Sequence, residues 1–362
     1  MNLNDLDAFK RLDPDNMIDH IDKLPDQLES AWDLGMSLPL PDWKGIRQVI
    51  IAGMGGSAIG GDLAAAYVEP GCRVPISLQR GYDLPGWAEG TDTLAIASSH
   101  SGNTEETLSA YSLARSRGCR TLALCTGGAL AEQSRAAGVP VWLFKHQGQP
   151  RTAVGYSFGL LLAALTRLGL VPDPGAELED AIAVMRTQQE SIRADVPDVH
   201  NSAKRMAGQL VNRWVMIAGA QHLAPVARRW KGQVSEVAKA WAQFEDLPEM
   251  NHNTLAGTQH PASRLSNLMA IFLRAPSLHP RNRLRTNLTK QTFMLQGIGT
   301  DFIDSQGTSR LAHQWSLLHF GDYVSYYLAM AYGVDPTPIE TIEGFKQEMA
   351  DSVRSAVKRS EG

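Results

Sequence analysis

Cysteine is scarce: the 362 residues hold three, Cys72, Cys119 and Cys125, all in the first third and none in CxxC spacing. That excludes a disulfide scaffold, and the three read as free thiols of a reducing cytoplasm. An excess of one charge is also lacking. The 34 basic and 38 acidic residues sum to −4, and no basic run exceeds pairs such as Arg228-Arg229. A dedicated nucleic-acid binder needs a basic face, so nucleic acid is not an expected partner. No apolar run suits a bilayer, because the longest, FGLLLAALTRLGL from Phe158 to Leu170, is too short and carries Arg167. It predicts a buried helix, and no membrane partner is expected. The start, MNLNDLDAFKRLD, has no basic segment, apolar centre or small-residue cleavage site, so a cytoplasmic location is expected.

Metal motifs are missing too. There is no HxH or HExxH, and the pairs His252/His260 and His313/His319 have no carboxylate at ligand spacing, so no metal is expected. GxSxG is absent, which removes the usual frame of a Ser-His-Asp hydrolase. Trp214, Trp230, Trp241 and Trp315 lie without a basic stripe and read as packing residues.

What is present is an ordinary globular balance, 43% hydrophobic and 20% charged. At about 150 residues per domain the length predicts two units. Ile18, Ile21, Leu28 and Trp32 have helical spacing and predict an amphipathic helix between Asp13 and Leu34. Strands are then expected at Gln48 to Ala52, Val74 to Leu78, Thr93 to Ala97, Thr121 to Leu124 and Val139 to Phe144. Helices are expected after the glycines of GMGGSAIGG, at Glu105 to Arg117 and at Leu130 to Ala137. Short apolar strands alternating with helices mean a parallel sheet covered on both faces. The Pro- and acid-rich stretch Val171 to Pro197 marks the expected junction. Alternation resumes with Trp214 to Ala218, a helical pattern to Phe244, strand Leu268 to Leu273, helix Asn282 to Leu295, strand Ile298 to Ile303 and helix Ser309 to Tyr332. Thr337 with Glu340 forms a capping-box pattern, with Pro338 in the first helical position, and predicts a C-terminal helix from Pro338 to about Val357. The expected divisions are 1–35 (helical), 36–170 (first sheet), 171–205 (linker with a helix), 206–335 (second sheet) and 336–362 (C-terminal helix).

Two loops carry the chemistry. Gly53-Met-Gly55-Gly56-Ser57-Ala58 follows a strand and opens a helix, a placement that aims backbone N–H groups and a helix dipole at an anion. It also fits GxGxx(G/A), so a dinucleotide site must be considered. The second strand, however, runs into Gln79-Arg80 instead of the acid that holds a ribose, which leaves NADP as an alternative. The third strand ends in Ser98-Ser99-His100-Ser101-Gly102-Asn103-Thr104-Glu105, again at a helix start. Ligands of open parallel sheets bind at the carboxyl ends of strands, so both loops converge on one crevice. There the hydroxyls of Ser57, Ser99, Ser101 and Thr104, with the amides of Gly55 and Gly56, suit a phosphate. The bland reading of the second loop is a helix cap of the Ser/Thr-x-x-Glu kind.

GMGGS, SxSGNTEET and Pro150-Arg151-Thr-Ala-Val-Gly-Tyr156, followed by Ser235-Glu236-Val-Ala-Lys239 and Pro248-Glu249-Met-Asn-His252-Asn253, together resemble the bifunctional phosphoglucose/phosphomannose isomerases, a family of sugar isomerase (SIS) domain proteins. The resemblance runs in order from about residue 14 to the C-terminal helix. It implies an α/β fold of two doubly wound, flavodoxin-like SIS domains with a C-terminal helix. It further implies isomerisation of glucose 6-phosphate and mannose 6-phosphate with fructose 6-phosphate through an enediolate, without metal or cofactor. Glu236 would be the base, His252 the ring-opening group, Arg151 the enediolate stabiliser and Lys346 a contact near the ring oxygen. The family histidine reaches the site from a partner subunit, so a homodimer with an interfacial site is expected. Thr337 is the candidate for the threonine through which the family is thought to admit mannose 6-phosphate. Without the resemblance, Glu236 would be a solvated i,i+3 partner of Lys239, and Arg151, His252 and Lys346 would be capping, turn and surface residues. Three positions depart from the family pattern: His100 replaces an aromatic, Val237 an asparagine and Thr254 an acid. A sugar-phosphate sensor of the same fold that binds without turnover is the competing class.

Overall fold

A computed structural model describes residues 2–360, with the side chains of residue 350 and of 353–360 outside the description. The N-terminal segment forms three helices, α1 (Leu6–Leu12), α2 (Met17–Asp22) and α3 (Leu24–Ser37), where one was expected from Asp13. The break falls at Lys23, just before Pro25 in the first turn of α3. Asp13 precedes α2, and its carboxylate accepts from the N–H groups of Met17 and Ile18.

The first sheet takes strands β1 (Gln48–Ala52), β2 (Ile76–Gln79), β3 (Thr93–Ser99), β4 (Arg120–Cys125) and β5 (Val141–Leu143). All are parallel, in the order β2-β1-β3-β4-β5, the doubly wound arrangement expected. Its helices are α4 (Gly55–Val68), α5 (Glu105–Ser116), α6 (Gly128–Ala136) and α7 (Val154–Arg167). Helix α7 contains much of the apolar run read from the sequence and is buried from Ser157 to Leu165. It lies against α4 because Gly60 leaves room: a Cβ there would stand 2.5 Å from the Ser157 Cβ.

Helices α8 (Gly175–Ile192) and α9 (Ser202–Leu210) follow, and both pack on a later central helix. The second sheet has β6 (Trp214–Ala220), β7 (Ala242–Leu247), β8 (Leu268–Arg274) and β9 (Gly299–Asp304), parallel in the order β7-β6-β8-β9. Its helices are α10 (Ala224–Glu236), the short α11 (Ala262–Leu265), α12 (Pro280–Leu295) and α13 (Arg310–Tyr332). Every residue of α13 from Leu311 to Met330 is buried, which explains its lack of a polar face. The protein is thus two parallel-sheet α/β units around a shared core, with a C-terminal helix α14 (Glu340–Ser360).

Several boundaries differ from expectation, β2 starting at Ile76 and β5 spanning only Val141–Leu143 among them, and two bear on the site. The helical pattern read through Phe244 stops at Glu236, where Lys239 turns left-handed at φ 55°, and Ala242–Leu247 pairs with β6 as an edge strand. Its half-buried AQFEDL sequence alternates too weakly to announce a strand. Helix α14 begins at Glu340, not Pro338, because Ile339 is the first residue whose carbonyl receives helix-like bonds, from Ile342 and Glu343. Thr337 donates its N–H to Asp335 (2.8 Å) and caps nothing.

Candidate active site

The glycine loop forms as its sequence requires. Gly53 passes Ser98 so closely that a Cβ would lie 2.9 Å from its carbonyl, and Gly55 takes a left-handed φ of 50°. Gly56 faces the turn at Pro150–Thr152, where a Cβ would stand 2.4 Å from the Pro150 carbonyl oxygen. The loop and the Arg151 turn are therefore fitted to each other through a missing side chain.

The hydroxyl cluster assembles beside it. Ser57, at the start of α4, accepts from the His100 N–H (3.2 Å), joining the loops after β1 and β3. Ser99 Oγ lies 2.9 Å from Thr104 Oγ1 and accepts from the Gly102 N–H at 3.1 Å; Ser101 Oγ accepts from the Asn103 N–H at 3.2 Å. Thr104 occupies the N-cap of α5 without making a side-chain cap, so the simple capping reading is not realised.

A cavity of about 200 Å³ opens next to these loops, lined by Gly55, Gly56, Ile59, Arg80, Arg151, Arg228, Arg229, Lys231, Gly232, Gln233 and Glu236. Glu236 is its one carboxylate among five cationic side chains, so an anion is favoured there although the chain is acidic. Most of that charge is already placed. Arg80 and Arg228 share Asp62, and Arg229 forms a buried fork with Asp322 at 3.2 and 2.7 Å. Arg80, the residue considered for an NADP phosphate, thus gives a terminal nitrogen to α4.

Arg151 is different. Its side chain is 3% exposed, and its Nη2 donates to the carbonyls of Pro336 (3.0 Å) and Thr337. Nε and Nη1 are buried without a hydrogen-bond partner, and Nη1 stands 3.8 Å from the Glu236 carboxylate. Burial, and next the Glu236 charge opposing it, set the balance that holds its pKa below the usual arginine value. A buried donor with no acceptor is costly, and a ligand oxygen would satisfy it. Arg229, which the sequence showed only as half of a basic pair, fixes Arg151 by donating to its backbone carbonyl at 2.9 Å.

Glu236 is the last residue of α10 and not a solvated partner of Lys239. The lysine ammonium binds the Glu236 backbone carbonyl (2.7 Å), leaving the carboxylate to face Arg151. The Thr337 hydroxyl oxygen is buried without a partner on the strap that Arg151 holds. Of the expected site residues, Gly55, Gly56, Arg151 and Glu236 line the cavity, whereas Ser57, Ser99, Ser101 and Thr104 gather beside it without lining it, and two others stand apart. His252 ends a short 3-10 turn, Glu249–His252, and is exposed; Asn253 bonds Glu249 (3.0 Å), closing the loop on itself. Lys346 is exposed on α14. Neither lines the cavity.

His100 heads a chain unforeseen in the sequence. Its Nε2 lies 2.9 Å from His146 Nδ1, whose Nε2 is 3.4 Å from Thr152 Oγ1. Burial first, then the neighbouring His100 and His20, push the His146 pKa down to about 4, so the pair is neutral at ordinary pH. Among the described residues no group of three or more His, Cys, Asp or Glu could hold a metal ion, and no helix is long and apolar enough to cross a membrane.

Two parallel sheets with strand-end loops converging on a cationic cleft define an α/β protein of the SIS class. Residues 199–349 match the family model of the bacterial phospho-glucose isomerase C-terminal SIS domain. The chain is 39% identical over 339 residues to the bifunctional phosphoglucose/phosphomannose isomerase of Caldicellulosiruptor bescii, covering 92% of this chain and 99% of that one. It is 33% identical to the enzyme of the same name from Aquifex aeolicus, over 86% and 92% of the two chains. The chain belongs to the bifunctional phosphoglucose/phosphomannose isomerase family and is an isomerase. The fold is shared at 16% identity with a solved hypothetical protein of Thermus thermophilus, with a TM-score of 0.72 over 96% of this chain and 94% of that one.

Proposed function

We propose that the protein interconverts glucose 6-phosphate and mannose 6-phosphate with fructose 6-phosphate. The relatives' names supply the substrates, and the observation that carries the reading is Arg151, buried with two donors lacking hydrogen bonds, standing 3.8 Å from Glu236 in the wall of a cationic cavity. Moving a proton between C1 and C2 needs a base, and the enediolate it generates needs a fixed cation. Glu236 carries the proton and Arg151 stabilises the oxyanion. The phosphate is held by the amides of Gly55 and Gly56 and by Ser57, Ser99, Ser101 and Thr104.

His252 opens the sugar ring. Its exposure in one protomer is compatible with entry into the cavity of a second copy, so a homodimer with an interfacial site is part of the proposal. Lys346 meets the ring oxygen once α14, which exposes Ile342, Phe345 and Met349, folds against the cleft. The Thr337 hydroxyl is assigned to admitting mannose 6-phosphate. Residues 36–170 and 206–335 are the two SIS units, flanked by 1–35, the linker 171–205 and 336–362, and the site is cytoplasmic and free of metal and cofactor.

The test is to incubate chelator-treated protein with fructose 6-phosphate and resolve the products. Both glucose 6-phosphate and mannose 6-phosphate are expected. Glu236→Gln should lower turnover by about 10²–10⁴-fold while sugar-phosphate binding stays within a few-fold, because only the proton acceptor is lost. Near-normal turnover in that variant sinks the assignment of the base, and binding without turnover in the native protein makes it a sensor.

A further inference from the structure

Beside Glu236, a second cation holds the same strap as Arg151. The backbone at Lys239 is left-handed (φ 55°), which turns its side chain back over the end of α10. Its ammonium donates to the Glu236 carbonyl at 2.7 Å and to the Pro336 carbonyl at 3.3 Å. Pro336 O is also the acceptor of Arg151 Nη2 at 3.0 Å. One carbonyl thus ties together the residue bearing the carboxylate, the guanidinium opposite it and the chain leading to α14. Nη2 of Arg151 is consumed by this tie, which leaves Nη1, 3.8 Å from the Glu236 carboxylate, and Nε without hydrogen-bond partners.

Resting on the isomerase reading above, we propose that Lys239 is a positioning residue for proton transfer, fixing the Glu236 carboxylate against Arg151 by clamping the end of α10 to the Pro336 carbonyl. A left-handed lysine is an uncommon choice where glycine or asparagine relieves strain, so its side chain must contribute what the backbone does not need. Three charged groups face the ammonium: Arg151 from the turn after β5, Asp335 from the strap and Glu236 from α10. Burial first and then the Arg151 charge bring its pKa down to about 8, with Asp335 and Glu236 opposing. The ammonium is therefore held between its two carbonyls against its own desolvation and against a like charge.

Small displacements of a reacting pair reduce the chemical step far more than they reduce binding. With fructose 6-phosphate as substrate, Lys239→Met is expected to lower kcat about 10–100-fold with KM within about threefold. Lys239→Arg, which restores a donor to both carbonyls, should recover kcat to within a few-fold. A merely structural lysine would lower stability without this split between kcat and KM. The inference is overturned if Lys239→Met keeps kcat within threefold, if the loss appears in KM instead, or if Lys239→Arg fails to recover kcat. Native protein without turnover overturns the isomerase reading and this inference together, whereas a native enzyme indifferent to Lys239 overturns this inference alone.

Discussion

In the first unit the chain leaves β1 through Gly53-Met54-Gly55-Gly56, and in the second it leaves β6 through Gly219-Ala220-Gln221-His222. The backbones match. A Cβ on Gly53 would stand 3.4 Å from the backbone of Ser57 and Ala58, and one on Gly219 2.7 and 3.0 Å from the corresponding atoms of Leu223 and Ala224, while Gly55 and Gln221 are left-handed at φ 50° and 54°. The side chains then part company. In the first unit Gly56 leaves the loop open to Arg151, and hydroxyls gather around the end of β3. In the second unit His222 fills the turn and is fully buried, and Ser277, after β8, lies between it (3.0 Å) and His313 (2.8 Å).

The hydrogens of that chain follow from one acceptor. The Gly307 carbonyl, 3.2 Å from His313 Nε2, accepts a hydrogen bond from it, so His313 Nδ1 must accept the Ser277 hydroxyl and Ser277 must accept from His222 Nε2. No hydroxyl donor is left for a phosphate. Equivalent switch points of the same topology therefore differ: the first borders a cationic cavity through Gly55 and Gly56, whereas the second is filled by a closed chain of hydrogen bonds. What the second unit gives the site comes from α10 instead: Glu236 and Arg229.

The most damaging way to erase this difference is to fill the first loop. Gly56→Ala puts a Cβ 2.4 Å from the Pro150 carbonyl and displaces the Arg151 turn; kcat/KM for fructose 6-phosphate should fall about 10²-fold or more. Retained activity would mean that the fit between loop and turn is slack. Ser101→Ala combined with Thr104→Ala should weaken every 6-phosphorylated ligand alike, by about 10²–10⁴-fold for two lost bonds to a charged group. An unchanged inhibition constant for a phosphate analogue would remove the hydroxyl cluster from phosphate binding. Ser277→Ala, in the second unit, should leave kcat and KM within twofold while costing about 1–3 kcal/mol in a denaturant titration, because two buried imidazoles lose a partner. A selective loss of activity there would contradict the sealed reading of that loop.

Legibility in the sequence followed the range of the interactions. The strands Gln48–Ala52 and Thr93–Ser99 are runs of buried residues bounded by glycine or polar turns, and such runs are readable because burial on both faces demands apolar residues throughout. Strand β7 was hidden in an apparent helix because an edge strand needs less of that composition, and because the stop at Lys239 depends on contacts with a strap about a hundred residues away. The glycine loop and the serine cluster could be read because each lies within a few consecutive residues. Arg229, Asp322 and Lys239 could not, since their partners are distant in sequence.

By itself the sequence determined the parallel α/β architecture, the two strand-end loops and the ordered motifs that mark the family, since all of these depend on local pattern. Only the tertiary structure decided which groups face one another. It spends one nitrogen of Arg151 on the strap and leaves two without hydrogen bonds, one of them beside Glu236, it leaves His252 and Lys346 exposed and outside the cavity lining, and it seals the second unit's equivalent loop. The physical reason is that the state of a donor depends on every acceptor within about 3 Å, and those acceptors are supplied by segments that meet only when the chain has folded.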